Sequence, residues 1–216
     1  SMKRTNFLQE YGVLIAFGIL VIINVATRGS SFLQVENLRN ILSQSAIVGM
    51  IAIGMTFVII TSGIDLSVGS VLVFSSVVSA LVMQRIGGDG CGTAAIGILA
   101  ALVTGVLWGL VNGALVAKAK IPPLIVTLGT LSIALGLAQV ITGGIDVRSV
   151  PEAMTDFSTY IKFLGIPALP FVALVVVIIG GIVLHKTKFG RYTYAIGSNE
   201  EGARRVVVNS VGREMR

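Results

Sequence analysis

The chain has 216 residues, 54% of them hydrophobic and only 12% charged, with a formal net charge of +6 and a pI near 9.8. Soluble globular domains carry roughly 25% charged residues, so composition excludes an ordinary water-soluble domain, and with it the nucleic-acid binding that so basic a balance would otherwise suggest. Apolar segments of about 20 residues, each enough to cross a hydrocarbon core of about 30 Å, recur along the chain and predict an all-α polytopic membrane protein.

Residues 1–10 are polar and predict a cytoplasmic amino terminus; Ser1 ahead of Met2 is expected to be a cloning remnant. Lys3 and Arg4 stand ahead of an apolar run, as in a signal peptide, but no small-residue cleavage site precedes a soluble domain. A first spanning helix is therefore predicted over about 11–27, running from inside to outside. Arg28 to Arg39 is a short connection in which Asn37 or Asn40 would cap the next helix.

A second helix is predicted over about 41–61, with Ala46, Met50 and Gly54 on one face and Ser45 and Gly49 on another. It leads into Thr61-Ser62-Gly63-Ile64-Asp65-Leu66-Ser67. Here one carboxylate, several hydroxyls and a glycine lie between two segments long enough to span a bilayer. Two readings stand: a polar turn in which Asp65 caps the next helix, or a broken helix beside a transport pathway, where irregular backbone is tolerated at membrane depth. On the second reading Ser62, Gly63, Asp65 and Ser67 would line the pathway.

A third helix is predicted over about 66–84, and Gln84 to Gly92 is a glycine-rich exposed loop. In the fourth, over about 93–117, Gly97, Ala101, Gly105, Gly109 and Gly113 recur every fourth residue and predict one small-residue packing face. Asn112 beside that face would make either an interhelical hydrogen bond or a substrate contact. Lys118-Ala119-Lys120 closes this helix, and Pro122-Pro123 starts the fifth, over about 123–142, where a first-turn proline loses no hydrogen bond. Gly143 to Pro167, with its mixed charge, is a water-facing connection. The sixth helix takes about 168–185 and stops at the basic run His185 to Arg191.

With the amino terminus inside, the inner segments hold Lys3, Arg4, Lys118, Lys120, Lys186, Lys188, Arg191, Arg204, Arg205, Arg213 and Arg216. The outer segments hold only Arg28, Arg39, Arg85, Arg148 and Lys162. That asymmetry predicts six spans with both ends cytoplasmic. A short echo also occurs: Thr61-x-Gly63-Ile64-Asp65 is repeated as Thr142-x-Gly144-Ile145-Asp146. Such echoes can mark internal repeats.

Residues 186–206 form a cytoplasmic segment. Gly197 reads as a breaker and Ser198 or Asn199 as an N-cap. Glu200 and Glu201 would occupy the first turn of a short helix and Arg204 and Arg205 the next, an arrangement that suits the helix dipole and gives an i,i+4 pair. No Gly-x-x-x-x-Gly-Lys-Ser/Thr loop is present, so ATP hydrolysis by this chain is not expected. With His185 the lone histidine and Cys91 the lone cysteine, no catalytic residue, disulfide or multi-cysteine metal site is assigned.

Gly54-Met55-Thr56 followed by Thr61-Ser62-Gly63-Ile64-Asp65-Leu66-Ser67-Val68-Gly69-Ser70 resembles the signature of the permease subunit of bacterial ABC sugar importers. That is the ribose-type group, which is similar more distantly to branched-chain amino-acid permeases. The resemblance covers about residues 37–206. It implies a multi-pass protein of the bacterial inner membrane that moves a monosaccharide, ribose or a similar pentose or hexose, by alternating access. It further implies a second permease copy in a homodimer, a cytoplasmic ATPase subunit that uses ATP and Mg, and a periplasmic or lipid-anchored sugar-binding protein. Membrane lipid surrounds such a subunit, which binds no cofactor directly and no nucleic acid. Leu184 to Arg204 is similar to the family's cytoplasmic coupling loop, whose short helix docks on the ATPase. By that resemblance Asn199, Glu200, Ala203 and Arg204 lie at the coupling surface, with Gly190 and Gly197 serving the hinge.

Family members carry about ten helices, whereas residues 207–216 diverge from the family pattern. The expectation is a truncated chain of six helices that does not transport alone. Three other readings remain: a branched-chain amino-acid permease of the same superfamily, an ion-coupled secondary transporter using Asp65, and a non-transporting membrane assembly subunit.

Overall fold

The structure, a computed structural model, describes residues 7–148 and 150–198. Its elements in chain order are α1 (Phe7–Arg28), a 3-10 turn (Gly29–Ser31), α2 (Val35–Ile60), α3 (Val68–Ile86), α4 (Cys91–Ala117) and α5 (Pro123–Thr142). After these come α6 (Glu152–Thr159), the two-residue strands β1 (Lys162–Phe163) and β2 (Ile166–Pro167), α7 (Ala168–Lys186) and α8 (Lys188–Ser198). Among the described residues, α1 to α5 and α7 provide six segments long and apolar enough to cross a membrane. The architecture is all-α and polytopic.

The chain divides between Ser45 and Ala46 into two units, and α2 runs through the division. In the first unit, α1 carries two polar side chains within its apolar run, and both satisfy themselves on the backbone one turn back. Asn24 Nδ2 donates to the Leu20 carbonyl and Thr27 Oγ1 to that of Ile23, each at 2.8 Å, which suits a segment with no water to bond. α2 starts at Val35, six residues ahead of the predicted start. Asn37 and Asn40 are thus inside the helix and cap nothing. Asn37 Nδ2 instead donates back to the Phe32 carbonyl at 2.8 Å.

The second unit is organised around α3, α4 and α5, neighbours joined by short connections and therefore antiparallel. α3 meets α4 through Ser79 Oγ, which donates to the Gly97 carbonyl at 2.7 Å, and through Met83, whose side chain fills the space a Cβ of Gly97 would need. Further along, Phe74 and Trp108 meet edge to face with centroids 5.7 Å apart. From α5, Thr130, Ala134 and Ala138 are buried together, Ala134 completely.

The small-residue face of α4 is only partly realised. A four-residue repeat on a helix of 3.6 residues per turn drifts by about 40° per step, or roughly 160° from Gly97 to Gly113. Gly97 is buried and Gly105 lies near Ser75, but Gly109 and Gly113 are exposed and an added Cβ there would meet nothing within 4 Å. The face that turns inward alternates by three and four: Ala94, Gly97, Ala101, Thr104 with Gly105, Trp108 and Asn112.

The connection from Gly143 to Pro167 holds more structure than its composition suggests. α6 is anchored through the Ala153 amide, which donates to the Asp89 carbonyl at 3.2 Å. β1 and β2 pair antiparallel around Leu164-Gly165, both at positive φ (52° and 79°), the pattern of a type I′ hairpin turn. Leucine is an unusual first residue for that turn, which hides the hairpin from a reading of residue types. Phe163 then packs edge to face on Phe171 of α7, centroids 5.5 Å apart.

Candidate functional site

α2 ends in a complete Schellman cap. Ser62 takes a left-handed φ of 58°, its amide donates to the Ile59 carbonyl at 2.9 Å, and the Gly63 amide donates to that of Val58 at 2.9 Å. Glycine usually occupies the left-handed position; here serine does, with Gly63 one residue later. Thr61 Oγ1 adds a bond to the Val58 carbonyl at 2.8 Å. The same cap closes α5. Gly143 is left-handed, its amide reaches the Val140 carbonyl at 3.4 Å, and the Gly144 amide reaches that of Gln139 at 3.0 Å. The Thr-x-Gly-Ile-Asp echo is thus a shared helix-ending motif.

After the cap, Asp65 turns its carboxylate onto the start of α3. Oδ1 accepts from the Ser67 amide at 2.8 Å and from Ser67 Oγ at 2.6 Å. A carboxylate at a helix N-terminus is favoured by the helix dipole, and a hydroxyl-to-carboxylate bond is stronger than a neutral one. Ser67 is fully buried. Its Oγ donates to Asp65 while accepting from Asn112 Nδ2 on α4 at 2.9 Å, and its carbonyl accepts from Ser70 Oγ at 2.7 Å. The structure therefore joins Asp65, Ser67 and Asn112 in one chain of bonds linking the α2–α3 connection to α4. Asn112 is the interhelical bond that one reading of the sequence expects, with Ser67 as its partner. Its Oδ1 is buried without a protein partner, so one acceptor remains open at the end of the chain of bonds. Ser62 is exposed and Gly63 half-buried; neither is hydrogen-bonded through its side to these three.

α8 lies at the same end. Thr187 starts it: its Oγ1 accepts from the Gly190 amide at 3.3 Å, an N-cap, and donates to the Val183 carbonyl in the last turn of α7 at 2.5 Å. The helix then runs without interruption through Gly197 to Ser198. This corrects the expectation that Gly197 breaks the chain ahead of a capped helix. A lone glycine costs a helix only about 1 kcal/mol, and close packing decides its place here. Gly190 is buried against the Leu184 backbone, and Gly197 abuts the Ile60 carbonyl at the end of α2. Phe189 of α8 and Phe57 of α2 stand with ring centroids 6.0 Å apart. His185 is exposed, with Nδ1 2.9 Å from the Gly181 carbonyl. Asn199, Glu200, Ala203 and Arg204 lie outside the described residues.

Sequence reasoning missed the buried hydroxyls Ser70, Ser75 and Ser79 on α3 and Thr127 on α5, though it set Thr130 with Ala134 and Ala138 on one face of the fifth helix. The signal was present as polar residues spaced three to five apart in an apolar run. At the far end of α3 and α5, a cleft of about 650 Å³ is lined by Gln84, Thr142, Asp146 and Arg148 among others. Asp146 and Arg148 pair there at 3.6 Å, both largely exposed. Among the described residues no group of three or more histidine, cysteine, aspartate or glutamate side chains could hold a metal ion.

The family described as branched-chain amino acid transport system / permease component matches residues 37–211. The chain is 39% identical over 209 residues to the ribose import permease protein of Bacillus subtilis (strain 168), covering 94% of this chain and 62% of that protein. It is 35% identical over 206 residues to the ribose import permease protein of Escherichia coli (strain K12), with the same coverage of 94% and 62%. It is also 35% identical over 181 residues to the autoinducer 2 import system permease protein of Salmonella paratyphi B, covering 84% of this chain and 51% of that one. The chain thus spans no more than 62% of the length of these relatives. No solved structure matches it significantly.

Proposed function

The chain belongs to the branched-chain amino acid transport system / permease component family, and from that premise we propose that it is a membrane-spanning part of an ATP-driven importer for a monosaccharide, ribose or a similar sugar. It is a multi-pass integral membrane protein of the bacterial inner membrane, and its family is one of transport components rather than catalytic enzymes. The observation that carries the reading is identity of 39% to a ribose import permease across 94% of the chain. On this reading ATP and Mg are used by a cytoplasmic ATPase subunit, a separate binding protein delivers the sugar, and a second permease copy and lipid cover the apolar helix faces. Many large apolar side chains face outward, Val13, Leu110 and Val140 among them, which supports such covering. On the same reading Asn199, Glu200, Ala203 and Arg204 are the residues that meet the ATPase.

Uptake of labelled ribose into cells that lack their own ribose permease, with the complete permease, its ATPase and its binding protein co-expressed, tests the reading. ATP-dependent uptake competed by pentoses is expected. Competition by leucine instead would favour amino-acid transport, the second reading, which the family's description keeps in play. Uptake driven by a proton or sodium gradient without nucleotide, and lost in Asp65→Asn, would overturn both.

A further inference from the structure

Gly190 and Gly197 are seven residues apart, two helical turns, and so share one face of α8. Both lie against backbone of another helix end. A Cβ on Gly190 would run into the Leu184 carbonyl and Cα, and one on Gly197 into the Ile60 carbonyl, with the Thr61 Cα 3.6 Å away. Between them Thr193 is buried, its hydroxyl spent on the Phe189 carbonyl at 2.9 Å. At these two glycines α8 meets the ends of α7 and α2 backbone to backbone. Ile60 is the last residue of α2. The Schellman bonds around it run from the Ser62 amide to the Ile59 carbonyl and from the Gly63 amide to that of Val58, and Asp65, Ser67 and Asn112 carry the connection on to α4.

Resting on the importer reading, we propose that Gly197 is a positioning residue at the joint through which α8 drives the α2–α3 connection. When the ATPase displaces the coupling segment, α8 pushes directly on the last carbonyl of α2. The capped turn then shifts as a block, because its backbone is bonded at both ends. Phe57, about one turn from Ile60, and Phe189, about two turns from Gly197, stand ring to ring at 6.0 Å and hold the two elements in register. Side chains at such a joint would absorb a small displacement by changing rotamer, whereas two backbones in contact transmit it.

The test uses the complete permease assembled with its ATPase and binding protein in proteoliposomes, with ATP hydrolysis and sugar uptake measured together. Gly197→Ala is expected to keep ATP hydrolysis but to lower sugar moved per ATP by about ten-fold or more, within the usual range of coupling between sites. Gly181→Ala is the control, since its Cβ would meet nothing within 4 Å, and should behave as wild type. A second arm does not depend on the folding of the alanine variant. Phe57→Cys and Phe189→Cys, in a Cys91→Ala background, are bridged by a short bifunctional thiol reagent. Preserved coupling in the bridged protein supports a joint that moves as one piece. Full coupling in Gly197→Ala, or uptake abolished by the bridge, overturns the joint while leaving the importer reading intact. Absence of ATP-dependent uptake in the wild type overturns that reading and the joint with it.

Discussion

Ser67 sits in the middle of its chain of bonds, and that position decides what its removal does. Ser67→Ala takes from Asp65 a charge-assisted bond and leaves Asn112 Nδ2 buried without a partner. Stranding a buried donor costs about 1–3 kcal/mol. Asn112→Leu removes donor and open acceptor together and leaves the bond from Ser67 to Asp65 in place, so its cost should be about 1 kcal/mol or less. Thermal unfolding in detergent should therefore rank Ser67→Ala well below Asn112→Leu; the reverse order would mean the network does not hold the two helices. Asp65 gives a second discrimination. Asparagine keeps an oxygen that accepts from the Ser67 amide and hydroxyl, whereas alanine leaves both of these donors without their acceptor, at about 1–3 kcal/mol. Asp65→Asn should then retain stability and nucleotide-driven uptake, and Asp65→Ala should lose stability. Loss of uptake in Asp65→Asn with stability unchanged would instead give the carboxylate charge a direct role in transport.

For helices the question is which glycines are contacts and which are only small. Gly97 is a contact, because the Met83 side chain occupies its Cβ position. Methionine adapts better than most side chains, yet Met83 is almost wholly buried and has little room to move. Gly97→Ala is expected to destabilise by about 1–3 kcal/mol, as overpacking does. Gly113 lies on the same four-residue repeat but in open space, so Gly113→Ala should be neutral or stabilise by up to about 1 kcal/mol through helix propensity. Equal effects at the two positions, read from unfolding midpoints, would restore the single face that the spacing suggests. The difference between the two arises from helical drift alone: near Asn112 the inward side of α4 has rotated away from the glycine row.

Across the whole molecule, α8, the α2–α3 connection and the carboxyl end of α4 gather at one end. The Gly87–Gly90 connection, with Cys91 beside it, lies at the other end of α3 and α4. From the distribution of lysine and arginine we propose that the first end faces the cytoplasm. Cys91 is free and exposed, so it should react with a membrane-impermeant maleimide added to the outer face of spheroplasts. Lys118→Cys in a Cys91→Ala background should react only after permeabilisation. Labelling of both from one face would invalidate the six-span topology, and with it the placement of α8 against a cytoplasmic ATPase.

Composition and segment length alone determined that this chain is a membrane protein with six spanning segments among the described residues. Both signals are one-dimensional, and burial in lipid imposes them on every segment alike. The limits of α5 were legible to the residue, because Pro123 and Gly143 act locally on the backbone. The cap on α2 was unforeseen, because its left-handed residue is a serine and Gly63 read only as part of a polar turn or pathway. Only tertiary structure decided that Asn112 bonds to Ser67, 45 residues away, because no local spacing relates them. The same holds for Gly197: read locally, a glycine before serine and asparagine is a helix end. In the fold it lies within α8, where the end of another helix occupies the place of a side chain.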